Sequence, residues 1–430
     1  MKAKIISHKQ TNFTKAIAAL IKNNSQIDEN KSKITAQIIS DVKKNGDKSI
    51  IALCNKFDQT KFKKSADFLV SQKEINLAKN NLDQNIIKAL ELSYSRVFDY
   101  HQKQLPKDFF YNDSLGNRLG NIWQSIEKIA AYVPGGTASY PSSVIMNAVP
   151  AIVAGCKNIV MTTPSVAGKI NDAVLVAAEI CGIKTIYKIG GAAAIAALTF
   201  GTKTISLVDK IVGPGNSFVA LAKKQLFGNV GIDMIAGPTD ILVIADNKNN
   251  PNWVASDLLS QTEHGTDSRA ILITDDIEFA NSVNHSIGNI AKTLPRSAII
   301  QESLKKSALV VVKDLNQDAA IISNQIAPEH LEIMTENPDK IFKQIKNAGA
   351  IFLGKYSPEA IGDYIAGPSH TLPTTSTARF SSGLSVFDFL KRMSVIECSK
   401  NGFIKLQNDA ALIAQSEGFD AHKLSITIRK

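Results

Sequence analysis

NIVMTTPSVAGKINDAVLVAAEICGIKTIYKIG, residues 158–190, decides the fold. It opens on a β-like run, NIVMTTP (158–164). It then passes through NDAVLVAAEICG (171–182), a helical stretch that closes on glycine, and ends on a second run, TIYKIG (185–190). Strand, helix and strand at this pitch form a βαβ unit, whose strands run parallel because the helix carries the chain back. The alternation extends outward, to KIAAYVP (128–134) upstream and to GAAAIAALTFG (191–201) and DKIVGPG (209–215) downstream. A second series starts at ILVIAD (241–246) and continues through RAILITDD (269–276), SALVVVKD (307–314) and AIFLG (350–354). Helices such as EFANSVNHSIGNIAK (278–292) separate those strands. The expected class is α/β: two Rossmann-like units, each a parallel sheet with helices on both faces.

The flanks read differently. Residues 1–30 suggest a polar helical arm. Residues 31–130 look mainly helical, since ITAQIISDVKKNGDKSIIALCNKF (34–57) spaces its apolar residues three and four apart. The tail beyond about residue 380 has little strand character and reads as a small appendage. The expected division is an arm at 1–30, a first Rossmann-like domain from 31–130 plus 240–380, a second from 131–239, and a tail at 381–430.

Composition narrows the function class. The 430 residues are 44% hydrophobic and 20% charged, which excludes a disordered chain and a small disulfide scaffold. No run approaches a membrane span, and MKAKIISHKQTNFTK lacks the apolar core of an export signal, so the cytoplasm is the expected compartment. The four cysteines, Cys54, Cys156, Cys181 and Cys398, form no C-x-x-C pair and are expected as small buried hydrophobes. Forty-nine Lys+Arg against 39 Asp+Glu give +10. The basic residues come as scattered doublets such as Lys43-Lys44 and Lys305-Lys306, which fits solvated faces and no nucleic-acid partner.

Neither G-x-G-x-x-G nor Walker A is present. Three glycine turns do follow strands: Pro134-Gly135-Gly136, Gly190-Gly191 and Gly213-Pro214-Gly215-Asn216. Such turns let backbone N–H groups approach a phosphate. Each is equally an ordinary turn that needs positive φ.

The histidines are more informative. Gln261 and His264 in VASDLLSQTEHG are three apart and thus share one helix face, where together they could grip a divalent ion. Asp363 and His422 are candidates for the remaining ligands, and mixed N/O ligation suits Zn²⁺. Each could also be an ordinary hydrogen-bonded side chain. Ala327-Pro328-Glu329-His330-Leu331-Glu332 pairs a carboxylate with an imidazole, the parts of a base for water and a base for an alcohol proton. The alternative there is a helix start, with Pro328 in first position and Glu329 favoured by the dipole.

Seven segments, in order, resemble the histidinol dehydrogenase family. They are YVPGGTASYPSSVIMNAVPA (132–151), KIVGPGNSFVALAKKQ (210–225), IDMIAGPTDILVIAD (232–246), LLSQTEHGTDSR (258–269), NQIAPEHLEIM (324–334), AGPSHTLPTTSTARFSSGLSVFDFLKR (366–392) and EGFDAHKLSITIR (417–429). The resemblance implies an aldehyde-dehydrogenase-like superfamily fold and oxidation of L-histidinol to L-histidine through a bound aldehyde. It implies two NAD⁺ in succession and one Zn²⁺ per site. Carried onto this chain, it makes Gln261, His264, Asp363 and His422 the zinc ligands. Glu329 becomes the base that activates water, and His330 the acid/base for the alcohol. Thr239, Gln261, His264, His330, Asp363, His370, Glu417 and His422 surround the substrate, with Glu417 on its ammonium. Tyr132, Asn216 and position 193 contact the nicotinamide cofactor. Family members are homodimers, so Glu417 and His422 are expected to complete the partner's site.

Three departures stand out. Ala193 occupies the place of the family's usual Gln, Thr239-Asp240 that of Ser-Glu, and Pro368-Ser369 that of Thr-Asn. Two other readings compete: a relative oxidising another polar primary alcohol, and a basic zinc protein that binds nucleic acid without catalysis.

Overall fold

A computed structural model describes residues 2–22, 28–135 and 139–429. Gly136 of the first glycine turn and parts of the N-terminal arm lie outside these residues.

The stretch at 158–190 folds as expected. Asn158–Thr162 and Thr185–Tyr187 are parallel neighbours, joined through the helix Asp172–Ile180. They belong to a five-stranded parallel sheet in the order Thr185–Tyr187, Asn158–Thr162, Lys128–Tyr132, Lys210–Val212, Gly231–Ile232. Taken by position in the chain, that order is third, second, first, fourth, fifth. It is the doubly wound arrangement, with strand order reversing beside Lys128–Tyr132. One face packs under the alanine-rich helix Gly191–Phe200, and the other under Pro141–Val153 and Asp172–Ile180.

The second series forms a six-stranded parallel sheet, ordered Lys4–Ser7, Ala308–Val311, Arg269–Thr274, Asp240–Ala245, His330–Met334, Ala350–Leu353. Asp240–Ala245 and His330–Met334 are buried along their whole length, as central parallel strands covered on both faces should be. Side chains alternate: Ile241 and Val243 meet Leu258 and Phe279 on one face, while Leu242 and Ile244 meet Ala319 and Ile326 on the other.

Three expectations need correction. The arm is not all helical, because Lys4–Ser7 pairs with Ala308–Val311 as an edge strand before the helix Phe13–Ile21. HLEIM is a strand and not a helix start: Ala327 takes a left-handed φ of 50° and breaks the preceding helix, and the apolar run then fits between two parallel neighbours. The segment 31–130 does not join 240–380. Its helices Glu29–Asn45, Asp47–Phe57, Gln72–Asn81 and Gln84–Gln102 pack on the helices of the five-stranded half. The reason is apolar matching, since Val42 and Ile50 fill the alanine-rich side, and Ile75, Leu90 and Val97 the other.

An antiparallel sheet missed in the sequence joins the tail to the segment just before the five-stranded half. Leu390–Glu397 pairs with Arg118–Ser125, which also pairs with Phe109–Asn112. The helices Lys400–Ser416 and Asp420–Thr427 follow it. Cys54, Cys156 and Cys181 are buried, but Cys398 is exposed.

Candidate active site

The halves meet across a cleft of about 1010 Å³. Its two walls come from opposite strand ends. The five-stranded half presents the carboxyl ends of its strands: Tyr132 closes Lys128–Tyr132, and Gly213 follows Lys210–Val212. Gly213 has φ of 109°, and a Cβ there would lie 2.1 Å from the Tyr132 carbonyl oxygen, so only glycine fits. Asp233 accepts from the Gly213 N–H at 2.7 Å, and the buried Lys223 ammonium bonds both Asp233 and the Gly213 carbonyl. Tyr132 Oη accepts from the Gly191 N–H at 3.1 Å. Burial pushes that phenol up to about 12, against the Gly191 bond. Asn216 caps the helix Ser217–Leu226 by accepting from Phe218 and Val219. Ala193 is buried beside the cleft in Gly191–Phe200. Two helix N-termini thus open on this wall, which favours an anion.

The six-stranded half presents the amino ends of its strands. Asp240 and His330 begin adjacent central strands, with Thr239 and Glu329 one residue earlier. Helices that return antiparallel bring their C-terminal turns to the same place. Gln261 sits in the last turn of Pro251–Thr262 and Asp363 near the end of Glu359–Tyr364. His264 is not on that helix face as expected. It lies in the turn after Thr262, its N–H bonded to the Gln261 carbonyl at 3.2 Å, with its side chain exposed toward the cleft. Helix C-termini favour a cation.

Asp240 organises the acid–base pair. Arg269 holds its Oδ2 through Nε at 3.0 Å and Nη2 at 2.7 Å. Its Oδ1 accepts from the Glu329 N–H at 2.7 Å, and its carbonyl faces His330 Nδ1 at 3.2 Å. That bond makes Nδ1 the donor of a neutral His330, leaving Nε2 as acceptor. Nε2 is buried and without a hydrogen-bond partner, 3.7 Å from Asp363 Oδ1 and 4.0 Å from Glu359 Oε1. Burial lowers the His330 pKa, but Glu329, Asp363 and Glu359 outweigh it and carry it to about 10. The same contacts, with His370, hold Asp363 well below the usual carboxylate range despite its own desolvation.

Glu329 is pushed up to about 7 by burial, opposed by His330 and Thr239. The Thr239 hydroxyl lies 2.5 Å from Glu329 Oε2 and 2.7 Å from Gln261 Oε1. One hydroxyl proton can serve only one of these, so both are hydrogen bonds only when Glu329 carries a proton. His370 meets the Asp363 carbonyl at 3.0 Å and Ser143 Oγ at 3.2 Å, and burial lowers its pKa against the pull of Asp363. His264 is lowered by desolvation, with Asp363 opposing.

The cleft therefore gathers Thr239, Gln261, His264, Glu329, His330, Asp363, His370, Tyr132, Asn216 and Ala193. It does not gather Glu417 and His422, which are exposed at the far end of the tail. Two residues at the site were missed, Glu359 buried behind the cleft wall and Cys54 on its lining. Glu359 is buried, accepts from Gln261 Nε2 at 2.5 Å, and shares with His330 and Asp363 donor atoms all within 4.8 Å of one another. Its signal was available: Glu359 and Asp363 are four apart and share a helix face. Cys54 lines the opposite end, but burial pushes its thiol up to about 12, so it stays protonated. The Gln261 amide, the His264 imidazole and the Asp363 carboxylate bring mixed oxygen and nitrogen donors to this wall, a set that suits a divalent cation, and the unpartnered buried His330 Nε2 beside them is free to take a proton.

The histidinol dehydrogenase family model matches residues 21–430. A histidinol dehydrogenase from Agrobacterium fabrum is 46% identical over 97% of this chain and 96% of its own length. One from Bradyrhizobium diazoefficiens is 47% identical over 99% and 98%. The crystal structure of histidinol dehydrogenase from Elizabethkingia anophelis superposes at a TM-score of 0.93, with 36% identity and 99% and 98% coverage. The chain is accordingly an oxidoreductase of the α/β class. It belongs to the histidinol dehydrogenase family.

Proposed function

We propose that this chain oxidises L-histidinol to L-histidine, the last step of histidine biosynthesis, in two NAD-linked steps with L-histidinaldehyde held between them. The observation that carries the reading is the meeting of Glu329 and His330 with Gln261, His264 and Asp363 on one wall of a cleft whose other wall holds Tyr132 and Asn216. Gln261, His264 and Asp363, with His422 from a partner subunit, would hold one Zn²⁺. Tyr132, Asn216 and the helix containing Ala193 would seat the cofactor.

When bound, the cation supplies a charge that polarises the alcohol oxygen and offsets Asp363 and Glu359. When bound, NAD⁺ supplies the hydride acceptor of both steps. His330 Nε2 takes the hydroxyl proton as the carbinol hydride departs, which leaves the aldehyde. Its Nδ1–H stays pinned to the Asp240 carbonyl throughout. Glu329 takes a proton from water as the oxygen adds to the aldehyde, while His330 Nε2 returns its proton to the carbonyl oxygen, giving the hydrate. His330 Nε2, free again, takes a hydrate proton as the second hydride leaves, and the carboxylic acid so formed ionises to the carboxylate as its proton and those on Glu329 and His330 pass to solvent. The protonated Cys54 makes a thiohemiacetal unnecessary to this scheme.

Glu417 would meet the substrate ammonium from the partner subunit of a homodimer working in the cytoplasm. Among the described residues no helix is long and apolar enough to cross a membrane. The test is NADH formation from L-histidinol by zinc-loaded and chelator-treated protein, beside a panel of other polar primary alcohols. Two NADH per histidinol, lost on chelation, is the expected result. No turnover by zinc-loaded protein, or a higher kcat/KM for an alcohol without an amine, overturns the reading.

A further inference from the structure

Gln261 brings an ambiguity that no carboxylate or imidazole ligand has. Its side-chain amide is nearly symmetric in shape and opposite in chemistry at its two ends: Oε1 can face a cation and Nε2 cannot. Something must choose between two orientations related by a half-turn. The Gln261 side chain is deeply buried, so water does not choose.

Glu359 is placed to do so. Its Oε1 accepts from Gln261 Nε2 at 2.5 Å, and its Oε2 accepts from Ser260 Oγ at 2.8 Å. The carboxylate is itself anchored, because the Glu359 N–H donates to Glu332 Oε1 at 2.6 Å from within the central strand. Glu359 is 2% exposed, and both of its oxygens are engaged by donors from the last turn of Pro251–Thr262. Both Glu359 oxygens act as acceptors here, so the group holds the nitrogen end and turns Oε1 away, toward Thr239 and the cleft.

We propose that Glu359 is a positioning residue whose carboxylate fixes the Gln261 amide with Oε1, and not Nε2, toward the cation in the cleft. This inference rests on the zinc reading above and adds a residue to it. It also separates Glu359 from the ligands. Its Oε1 lies near His330 and Asp363 and accepts from the Gln261 amide nitrogen.

The experiment is a double-mutant cycle on zinc affinity, read by competition with a chelator. The visible spectrum of the cobalt-substituted protein and a thermal melt are recorded alongside. E359Q presents both a donor and an acceptor to Gln261 and so no longer chooses. It is expected to weaken zinc binding about ten- to a hundredfold and to change the cobalt spectrum, with a cooperative melt retained. E359D, which withdraws the carboxylate by one methylene, is expected to behave alike and serves if E359Q does not fold. In a chain carrying Q261E the ligand has two equivalent oxygens and nothing to orient, so adding E359Q should cost less than about twofold. An equal cost in both backgrounds means that Glu359 binds the ion directly or acts only on the fold, and overturns the inference. So does an E359Q chain with unchanged affinity. A wild-type chain that takes up no zinc overturns the metal reading and this inference with it. Wild-type uptake without the cycle's asymmetry overturns this inference alone.

Discussion

Asp240 and Glu329 grip each other in both directions. The Glu329 N–H donates to Asp240 Oδ1 at 2.7 Å, and the Asp240 N–H reaches Glu329 Oε2 at 3.3 Å. With Arg269 closing the far side of Asp240, the orientation of the Glu329 carboxylate depends on a buried ion pair at the start of the neighbouring strand.

Asp240→Ala should therefore act on stability and on chemistry. It leaves the guanidinium of Arg269 largely buried without its carboxylate partner, a loss of about 3 kcal/mol, readable as a lower urea midpoint at unchanged slope. Glu329 loses its backbone anchor, so kcat should fall more than KM rises. A variant with wild-type kcat would show that Glu329 needs no such support.

Glu329→Gln should spare the first hydride transfer and disable the second, because only the aldehyde step needs water activated. The second step is expected to slow by about 10²–10⁴. In a rapid-mixing experiment one NADH per site should appear promptly, followed by a crawl. Equal slowing of both phases would reassign the residue.

The pH dependence of metal-free stability has a definite sign. Glu329 is raised to about 7 from 4.5, and His330 to about 10 from 6.5. In both cases the fold binds the proton more tightly than the unfolded chain does. Each contribution is complete below the unfolded value and is lost as pH rises through the folded one. The melting temperature of the metal-free protein should thus decline between about pH 7 and pH 10, mainly through His330. His330→Asn should flatten that decline. A melting temperature that climbs over this range contradicts the assignment.

Chains carrying His422→Ala and chains carrying His264→Ala should each be inactive alone and complement on mixing. In a mixed dimer one site receives an intact tail from its partner. Random assortment would restore about a quarter of the wild-type sites. No recovery, with mixed dimers present by mass, would place His422 in its own subunit's site or outside any site.

Much of this was readable beforehand, and the residues say why. ILVIAD and RAILITDD are continuous apolar runs of strand length, so burial on both faces leaves a plain trace. HLEIM carries the same trace, but Pro328 and Glu329 before it imitate the opening of a helix. The helix before them, Leu315–Ile326, ends at the left-handed turn of Ala327, which no glycine announces. Lys4–Ser7 is too short and too mixed to stand out, and it becomes a strand only because Ala308–Val311 offers it an open edge. At the site, Glu329, His330, Gln261 and Asp363 could be picked by residue type. Glu359, four residues before Asp363, was legible as a carboxylate on the same helix face, but its hold on Gln261 was not, because that partner lies 98 positions away. The placement of 31–130 depended on which half offered complementary helix faces, and periodicity carries no address.

The facing of carboxyl strand ends in one half by amino strand ends in the other has an electrical outcome. Peptide dipoles point their positive poles into the slot from one bank and their negative poles from the opposite bank, so the backbone alone sets a voltage across its width. A molecule with phosphates at one end and a metal at the other would be sorted before any side chain touched it.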